Sequence, residues 1–288
     1  MKIGFIGLGN LGTPIAENIL ASGHELYVFN RTHSKTKPLV DKGAIACDSI
    51  EQLAKQCTIV CTMVADDAAL TSVCTGQQGL INQLKPGSIH LSMSTILPQT
   101  AKELAEQHDK SQLIYLATPV FGRPEAARAR KLNFVVSGNE KTRHEVESLL
   151  KDAGGAGVWD FGDTITAANT VKLCGNFVIA SALEAIGESI ALAEKSGIDA
   201  QQMWDMFTQT MLSSPLYTNY SKIIAGKQFE PAAFTMQLGL KDMNLVLQQA
   251  QQAEQAMPLA QLLQQHMQQL IKAGKQRIDW SAVATAVN

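Results

Sequence analysis

The 288-residue sequence lacks the patterns that mark several classes of protein. Its five cysteines form no C-x-x-C pair and its six histidines form no H-E-x-x-H motif, so we predict no metal site. Its formal net charge of −2 predicts no basic surface for nucleic acid. Gly, Asn or Glu interrupts each long apolar run before the ~18 residues of a membrane span, so we expect no membrane partner.

The composition that remains is that of a soluble globular protein, with 45% hydrophobic and 17% charged residues. The chain is long enough for two domains. Its first apolar run is too short for a signal peptide and leads straight into a glycine loop, so we expect a cytoplasmic protein. In that reducing compartment we expect free, buried thiols at Cys47, Cys57, Cys61, Cys74 and Cys174.

A glycine-rich loop, GLGNLG over residues 7–12, follows a predicted strand at residues 2–6 and precedes a predicted helix at residues 13–22. A second predicted strand at residues 25–29 completes a βαβ unit. This is the context in which G-x-G-x-x-G binds a dinucleotide. The loop therefore predicts a nucleotide site at its helix N-terminus, where free N–H groups meet the phosphates.

The three glycines of the loop have different expected tasks. Gly7 permits the tight turn, Gly9 lets the backbone approach a pyrophosphate, and Gly12 lets the helix pack close to the strand. The alternative is a glycine turn with only a structural role. The residues between the glycines are expected to share the cofactor contact: Leu8, Asn10 and Leu11.

The end of the second strand indicates which dinucleotide binds. An NAD site usually has Asp or Glu there to bind the ribose 2′-hydroxyl, but this chain has Asn30-Arg31-Thr32, followed by Lys35. A guanidinium can bind a 2′-phosphate through two hydrogen bonds, and a carboxylate would repel it. The segment favours NADP over NAD, and the alternative is that Arg31 is a solvated loop residue.

Further predicted strands alternate with helices through the first half of the chain, at residues 58–64, 89–93, 113–117, 133–138 and 157–162. The alternation predicts an α/β fold with a Rossmann-type doubly wound, mostly parallel sheet. Ligands bind such sheets at the carboxyl ends of the strands. We therefore expect one crevice lined by the loops above and by Met63, Val64, Ser94, Thr95 and residues 119–123.

After Asp163 the pattern is only helical, beginning with one long helix at residues 166–196. We predict a dinucleotide-binding domain at residues 1–163 and an all-helical substrate and oligomerisation domain at residues 164–288, joined by that helix. The Gln- and Met-rich helices suggest a homodimer or homotetramer. Two polar residues near the start of the long helix, four apart and so on one face, are Lys172 and Asn176.

A lysine within an apolar, Ala-rich helix is unusual, because burying an unpaired ammonium is costly. The alternative is a lysine at the exposed edge of the helix. Its position near the junction of the two predicted domains favours a functional role.

Five motifs of this sequence together resemble the β-hydroxyacid dehydrogenase family, which includes 3-hydroxyisobutyrate dehydrogenases and tartronate semialdehyde and glyoxylate/succinic semialdehyde reductases. The resemblance covers essentially the whole chain. It rests on GFIGLGNLG at the start, Met93-Ser94-Thr95, TPVFG at residues 118–122, Lys172-x-x-x-Asn176 and Lys241-Asp242.

The resemblance implies roles for several residues. Lys172 is implied as the catalytic acid/base, Asn176 as the residue that orients the substrate, and Lys241 as a lysine that reaches the cofactor and the active site. The implied substrate residues are Ser94, Val120, Phe121, Gly122, Arg123 and Lys241.

The sequence departs from the family pattern at the substrate loop. Where relatives read Asp-Ala-Pro-Val-Ser-Gly-Gly, this chain places Phe121 at the serine and Arg123 at the final glycine. Shortly before and after Lys172, other residues replace the family's glycines and asparagine: Thr166, Ala168 and Gly175. Arg123 either supplies a new grip on a substrate carboxylate or is a solvated loop residue.

The leading hypothesis is an NADPH-dependent reductase of a small aldehyde or keto acid, that is, an oxidoreductase of the β-hydroxyacid and semialdehyde class with a small-molecule substrate. An imine reductase is a second hypothesis, favoured by Phe121 and disfavoured by Lys172. A catalytically silent NADP-binding protein is a third, disfavoured by the presence of both Lys172 and Asn176.

Overall fold

The computed structural model describes residues 1–286. They divide into two compact units, the first being Met1–Lys172 and the second beginning at Leu173. The sequence placed a boundary between residues 163 and 164. The first unit instead runs on into the long helix and includes its first turns. What each unit does remains a prediction.

A six-stranded parallel sheet forms the centre of the first unit, with strand order β3-β2-β1-β4-β5-β6. Its strands are β1 (Lys2–Ile6), β2 (Glu25–Phe29), β3 (Ile45–Ala46), β4 (Ile59–Thr62), β5 (Ile89–Ser92) and β6 (Ile114–Ala117). The Rossmann-type doubly wound architecture is confirmed. Helices connect these strands: α1 (Gly12–Ala21), α2 (Lys37–Val40), α3 (Ile50–Gln56), α4 (Asp67–Cys74), α5 (Leu80–Gln83) and α6 (Pro98–Lys110).

The central strand β1 explains why helices cover both faces of the sheet. Its side chains alternate, so Ile3 and Phe5 pack in the cluster that contains α1 residues such as Ile15. Ile6 faces the other way and packs in the cluster that contains Leu53 of α3. A strand that is buried on both faces reads as a continuous apolar run, as KIGFI does.

The last strands of the first unit form a second sheet of three strands, which the sequence did not predict. They are β7 (Val120–Phe121), antiparallel to β8 (Leu132–Val136), which is parallel to β9 (Gly155–Asp160). Two helices that the sequence analysis did not identify accompany them, α7 (Pro124–Arg128) and α8 (Glu140–Asp152). Strand periodicity identifies strands but not their partners. Ser137, directly after β8, forms an antiparallel bridge with Ala117 of β6 in the large sheet.

The second unit is helical, as predicted. Its helices are α9 (Ala167–Lys195), which begins in the first unit, then α10 (Ala200–Gln209), α11 (Pro215–Ala225), α12 (Met236–Gln252) and α13 (Pro258–Lys272). A short 3-10 segment, Trp280–Thr285, packs in their midst: a Cβ at Gly187 of α9 would overlap Ala284, and Trp280 Nε1 donates to the Tyr220 hydroxyl over 3.0 Å.

Helix α9 also meets the length and hydropathy criteria for crossing a membrane, with a mean hydropathy of 1.4 over its best window. The sequence predicted no such segment, because polar residues interrupt its apolar run. The mean hydropathy of the window is still high, since a few polar residues lower it only slightly. Half of that window is buried in the protein. Buried core helices meet the same criteria, so meeting these criteria is only weak evidence that a helix spans a membrane. The helix is not wholly buried, however: Val178 is exposed, and so is Cys174, which was expected to be buried.

Candidate active site

The predicted cofactor residues of the first unit gather at one edge of the large sheet. The parallel register aligns the ends of neighbouring strands, pairing Ile6 with both Phe29 and Thr62 and then Thr62 with Ser92. The residues after each strand therefore lie along the same edge, where the loops at residues 7–12, 30–32, 63–64, 94–95 and 118–123 follow β1, β2, β4, β5 and β6.

Two glycines of the first loop are required by the protein itself. Gly7 has φ of +101°, its N–H donates to the Phe29 carbonyl oxygen over 3.1 Å, and a Cβ there would overlap the Met63 carbonyl oxygen. A Cβ at Gly12 would overlap the carbonyl oxygen of Gly7. Since the turn must close and α1 must begin against it, no side chain fits at either position.

Gly9 differs, because nothing in the protein lies within 4 Å of a Cβ built on it. The protein therefore gives no packing reason for a glycine there, whereas a ligand on this loop would. Within residues 1–286, the N–H groups of Asn10, Leu11 and Gly12 find no hydrogen-bond acceptor. Helix α1 has no side-chain cap and no acidic residue in its first turn. This unused donor capacity, at the positive end of a helix, fits the pyrophosphate of a dinucleotide.

The loop after β2 combines one braced residue with free cationic side chains. Asn30 Oδ1 accepts from the Leu8 N–H over 2.9 Å, and its Nδ2 donates to the Thr32 carbonyl oxygen over 2.9 Å. Arg31 and Lys35 are exposed, and across the described residues their side chains make no hydrogen bond or ion pair. Asn30 thus links the second strand to the glycine loop and leaves Arg31 available for a ligand.

The loops after β4 and β5 hold each other in place. The Met63 N–H donates to the Ile6 carbonyl oxygen over 2.9 Å, and the Val64 N–H donates to the Ser94 hydroxyl over 2.9 Å. Ser94 is fully buried. Ser94, a predicted substrate residue, thus connects the two loops through its hydroxyl. Thr95 follows it at the same edge of the sheet.

The predicted substrate loop brings Phe121 together with Lys172. The Lys172 Nζ lies 4.1 Å from the centroid of the Phe121 ring, which places the ammonium over the ring face. Lys172 is only 8% exposed, so the predicted alternative of an exposed helix edge is wrong for this residue. Arg123 is the N-cap residue that precedes α7, and its Nε lies 3.7 Å from Glu125 Oε2.

In the second unit, one carboxylate holds both remaining predicted residues. Asn176 is buried, and its Nδ2 donates to Asp242 Oδ2 over 2.5 Å, while Lys241 Nζ lies 2.7 Å from Asp242 Oδ1. Asp242 is 1% exposed. In the sequence Asp242 stood out only as part of the Lys241-Asp242 motif and was not among the predicted site residues, although a carboxylate next to a predicted functional lysine is a signal for such a role.

A further polar cluster lies inside the first unit, where the ligand atoms of Cys74, His90 and His108 come within 4.8 Å of one another. The sequence contained no metal-binding spacing, because α4, β5 and α6 each supply one residue. Burial lowers the pKa of His90, with a smaller contribution from neighbouring His108, and burial also lowers the pKa of His108. Burial raises the pKa of the Cys74 thiol.

With both imidazoles neutral, the hydrogen bonds of this cluster can have only one direction. His108 Nδ1–H donates to the Leu104 carbonyl oxygen over 2.7 Å, so His108 Nε2 accepts from His90 Nδ1–H over 3.0 Å. His90 Nε2 then accepts from the Thr62 hydroxyl over 2.9 Å. All four ring nitrogens are in use, so the cluster is a closed hydrogen-bond chain and not a vacant set of metal ligands.

Comparison with known proteins matches both parts of the chain. A family model described as the NAD binding domain of 6-phosphogluconate dehydrogenase matches residues 2–167. A second, described as NAD-binding of NADP-dependent 3-hydroxyisobutyrate dehydrogenase, matches residues 166–287. Together the two models cover almost the full sequence.

Individual relatives match over nearly their whole length. The chain is 40% identical to the uncharacterized oxidoreductase YfjR of Bacillus subtilis, covering 100% of each chain. It is 30% identical to a probable mitochondrial 3-hydroxyisobutyrate dehydrogenase of Dictyostelium discoideum, covering 99% of this chain and 90% of that one. A crystal structure of 3-hydroxyisobutyrate dehydrogenase from Salmonella typhimurium superposes with a TM-score of 0.88 at 26% identity, covering 99% of each chain.

Proposed function

This chain belongs to the β-hydroxyacid dehydrogenase family and is an NAD(P)-dependent oxidoreductase, and on that premise we propose that it is an NADPH-dependent reductase of small semialdehydes or keto acids. The buried lysine Lys172 carries the proposal. It is 8% exposed and stands one helical turn before Asn176, whose amide is held by Asp242. A buried ammonium beside an oriented amide is suited to proton transfer at a carbonyl oxygen.

The cofactor would be held by the glycine loop and the residues along the same sheet edge. The open N–H groups at the start of α1 would bind the pyrophosphate, and Arg31, with Lys35 nearby, would bind a 2′-phosphate. That preference for NADP follows from the absence of a carboxylate at the end of β2. The proposed cofactor residues are Gly7, Leu8, Gly9, Asn10, Leu11, Gly12, Asn30, Arg31, Thr32, Lys35, Met63, Val64, Thr95 and Lys241.

When bound, the nicotinamide of NADPH supplies a hydride to the carbonyl carbon of the substrate. The Lys172 ammonium donates the proton to the carbonyl oxygen, and in the oxidative direction the neutral amine removes it. The Asn176 amide donates one N–H to Asp242, and its second N–H would donate to the substrate oxygen. The carbonyl oxygen therefore meets two donors, which stabilise the charge that develops on it.

We infer the substrate class from two cationic side chains, one in the proposed substrate loop and one beside Asp242. Arg123 or Lys241 would bind the carboxylate of a semialdehyde or keto acid, since a guanidinium grips it bidentately. The remaining proposed substrate residues are Ser94, Val120, Phe121 and Gly122. A neutral carbonyl or imine substrate is the second candidate, favoured by the aromatic ring of Phe121 in this loop.

The test measures NADPH oxidation with glyoxylate, succinic semialdehyde, butyraldehyde and a cyclic imine, for the wild type and for Lys172→Ala. We expect turnover of the two acids and a loss of about 10²–10⁴-fold in kcat on Lys172→Ala, the usual contribution of general acid–base catalysis. Lys195→Ala, at the other end of the same helix, is the matched control and keeps full activity.

Three results would contradict the proposal. Near-normal turnover by Lys172→Ala would leave the lysine as an ordinary helix residue. Turnover of the imine alone would assign the chain to imine reduction, and NADPH binding without turnover of any substrate would indicate a catalytically silent protein.

A further inference from the structure

The aromatic ring of Phe121 makes a contact that sequence motifs did not predict. Its centroid lies 4.1 Å from Lys172 Nζ, well inside the ~6 Å within which a cation is attracted to a ring face. The two residues are far apart in sequence and meet only in the folded first unit. The contact is partly shielded from water, since Lys172 is 8% exposed.

Strand pairing and a glycine turn fix the backbone around Phe121, and this restricts where its ring can lie. Phe121 is the second residue of β7 and pairs with Asn133 of β8, while Val120 pairs with Phe134. Gly122 follows with φ of +141°, and a Cβ there would overlap the side chain of Leu132. The strand and the glycine together define where the chain turns, so the ring can be aimed at one point.

A ring face suits a residue that must keep a proton available. Attraction to the ring stabilises the ammonium over the neutral amine and restricts a long side chain that otherwise has many rotamers. Unlike a carboxylate, the ring accepts no strong hydrogen bond, so it holds the charge without capturing an N–H that the substrate needs. It also adds no negative charge close to a substrate carboxylate.

We propose that Phe121 is a positioning residue that holds the Lys172 ammonium against its ring face for proton donation. This inference rests on the proposed function, because it acts through Lys172. It differs from a role in simple packing, since an aliphatic side chain of similar size would fill the space without attracting a cation. It is also distinct from the substrate contact proposed for the same residue, since the positioning effect on kcat requires the lysine.

The first experiment replaces Phe121 with mono-, di- and trifluorinated phenylalanine, which withdraw electron density from the ring at nearly constant size. We expect log kcat to fall stepwise with fluorine number, by about tenfold over the series, which is the size of a partly desolvated cation–π contact. The KM for NADPH should stay constant. The same series at Phe134, on the neighbouring strand, is the matched control and should show no such trend.

Two further substitutions separate the ring from its bulk. Phe121→Leu should lower kcat about as much as the trifluorinated residue does, and Phe121→Tyr, which keeps a ring face, should restore it. In a Lys172→Ala background Phe121→Leu should have no further effect, because the two residues act as a unit. A flat fluorine series, or full kcat in Phe121→Leu, would overturn the proposal.

A readout without turnover keeps this test separate from that of the proposed function. In protein labelled at lysine Cε, the Lys172 signal should be shifted upfield by the ring and should return toward the ordinary range in Phe121→Leu. If the shift is present and no carbonyl is turned over, the proposed function fails and the contact stands. If the shift is absent, the inference fails even in an active reductase.

Discussion

The glycine loop and the Thr62–His90–His108 chain lie in the same unit and handle hydrogen-bonding groups in opposite ways. In the loop, the N–H groups of Asn10, Leu11 and Gly12 have no acceptor within the described residues. In the chain, the imidazole nitrogens are all paired, ending at the Leu104 carbonyl oxygen. Both features contain residue types that bind ligands, but of the two only the loop has hydrogen-bond donors that the described residues leave unsatisfied.

This contrast gives a physical criterion for deciding whether a cluster of functional side chains is a ligand site. A binding site needs donors or acceptors that the protein does not satisfy, because the ligand must replace water there. A closed chain gains nothing from a ligand and would lose existing hydrogen bonds on binding one. The cluster of Cys74, His90 and His108 is therefore structural, although its composition alone would suit a transition metal.

The largest expected effect comes from two alanine substitutions in the same loop. Gly12→Ala should destabilise the fold by about 3 kcal/mol or more, because its Cβ overlaps a backbone oxygen that cannot move aside. Gly9→Ala should leave the free energy of unfolding of the cofactor-free protein unchanged but weaken NADPH binding at least tenfold, as the methyl group enters the open space of the loop. Urea unfolding and NADPH titration measure the two effects.

The pair serves as its own control, since both changes add one methyl group within four positions of each other. If Gly9→Ala bound NADPH as tightly as the wild type, the open donors of the loop would not be the pyrophosphate site.

The next largest effect concerns Arg31. Like the unpaired N–H groups of the loop, its side chain makes no hydrogen bond within the described residues. Arg31→Ala should weaken NADPH binding about tenfold or more, the contribution of charge-assisted hydrogen bonds, and leave NADH binding unchanged. The exposed Arg128→Ala is the matched control. Isothermal titration with both cofactors gives the ratio, and equal affinities in the wild type would remove the role proposed for Arg31.

A second variant should reverse the preference for NADPH over NADH. Asn30→Asp combined with Arg31→Ala adds a carboxylate that can bind the ribose 2′-hydroxyl of NADH. The carboxylate keeps the acceptor that the Leu8 N–H uses, but it loses the donor to the Thr32 carbonyl oxygen. Some loss of stability is therefore expected in the double variant, and Arg31→Ala alone is the clearer measurement.

The two features also differ in how far the sequence could predict them. The glycine loop was predictable because its constraints are local: a turn, a close approach and a helix start within six consecutive positions. The Phe121–Lys172 contact and the closed chain were not, because each joins residues from separate elements that only the fold brings together. The small sheet was missed for the same reason, since alternation marks β8 and β9 as strands without naming their partners.

Asp242 shows an intermediate case. Its position next to Lys241 was visible in the sequence, but the hydrogen bond to Asn176 depends on the fold bringing one residue of α9 to one residue of α12. The sequence thus named candidate residues for the chemistry, but it did not show which side chains hold them in place.

The smallest expected effect tests the closed chain by pH. Burial holds the pKa of His90 and His108 below that of the unfolded chain, about 6.5, so the unfolded state takes up protons first as the pH falls. The stabilising difference is complete well above pH 6.5 and is lost as the pH falls through and below that value. From pH 7 to 6 each histidine should remove at most about 0.7 kcal/mol of unfolding free energy, the limit for a group that stays neutral in the folded state. Urea unfolding should show this slope in the wild type and in exposed His144→Gln, and a flatter one in His90→Gln/His108→Gln. An equal slope in all three would mean that the pair is not held neutral by the fold.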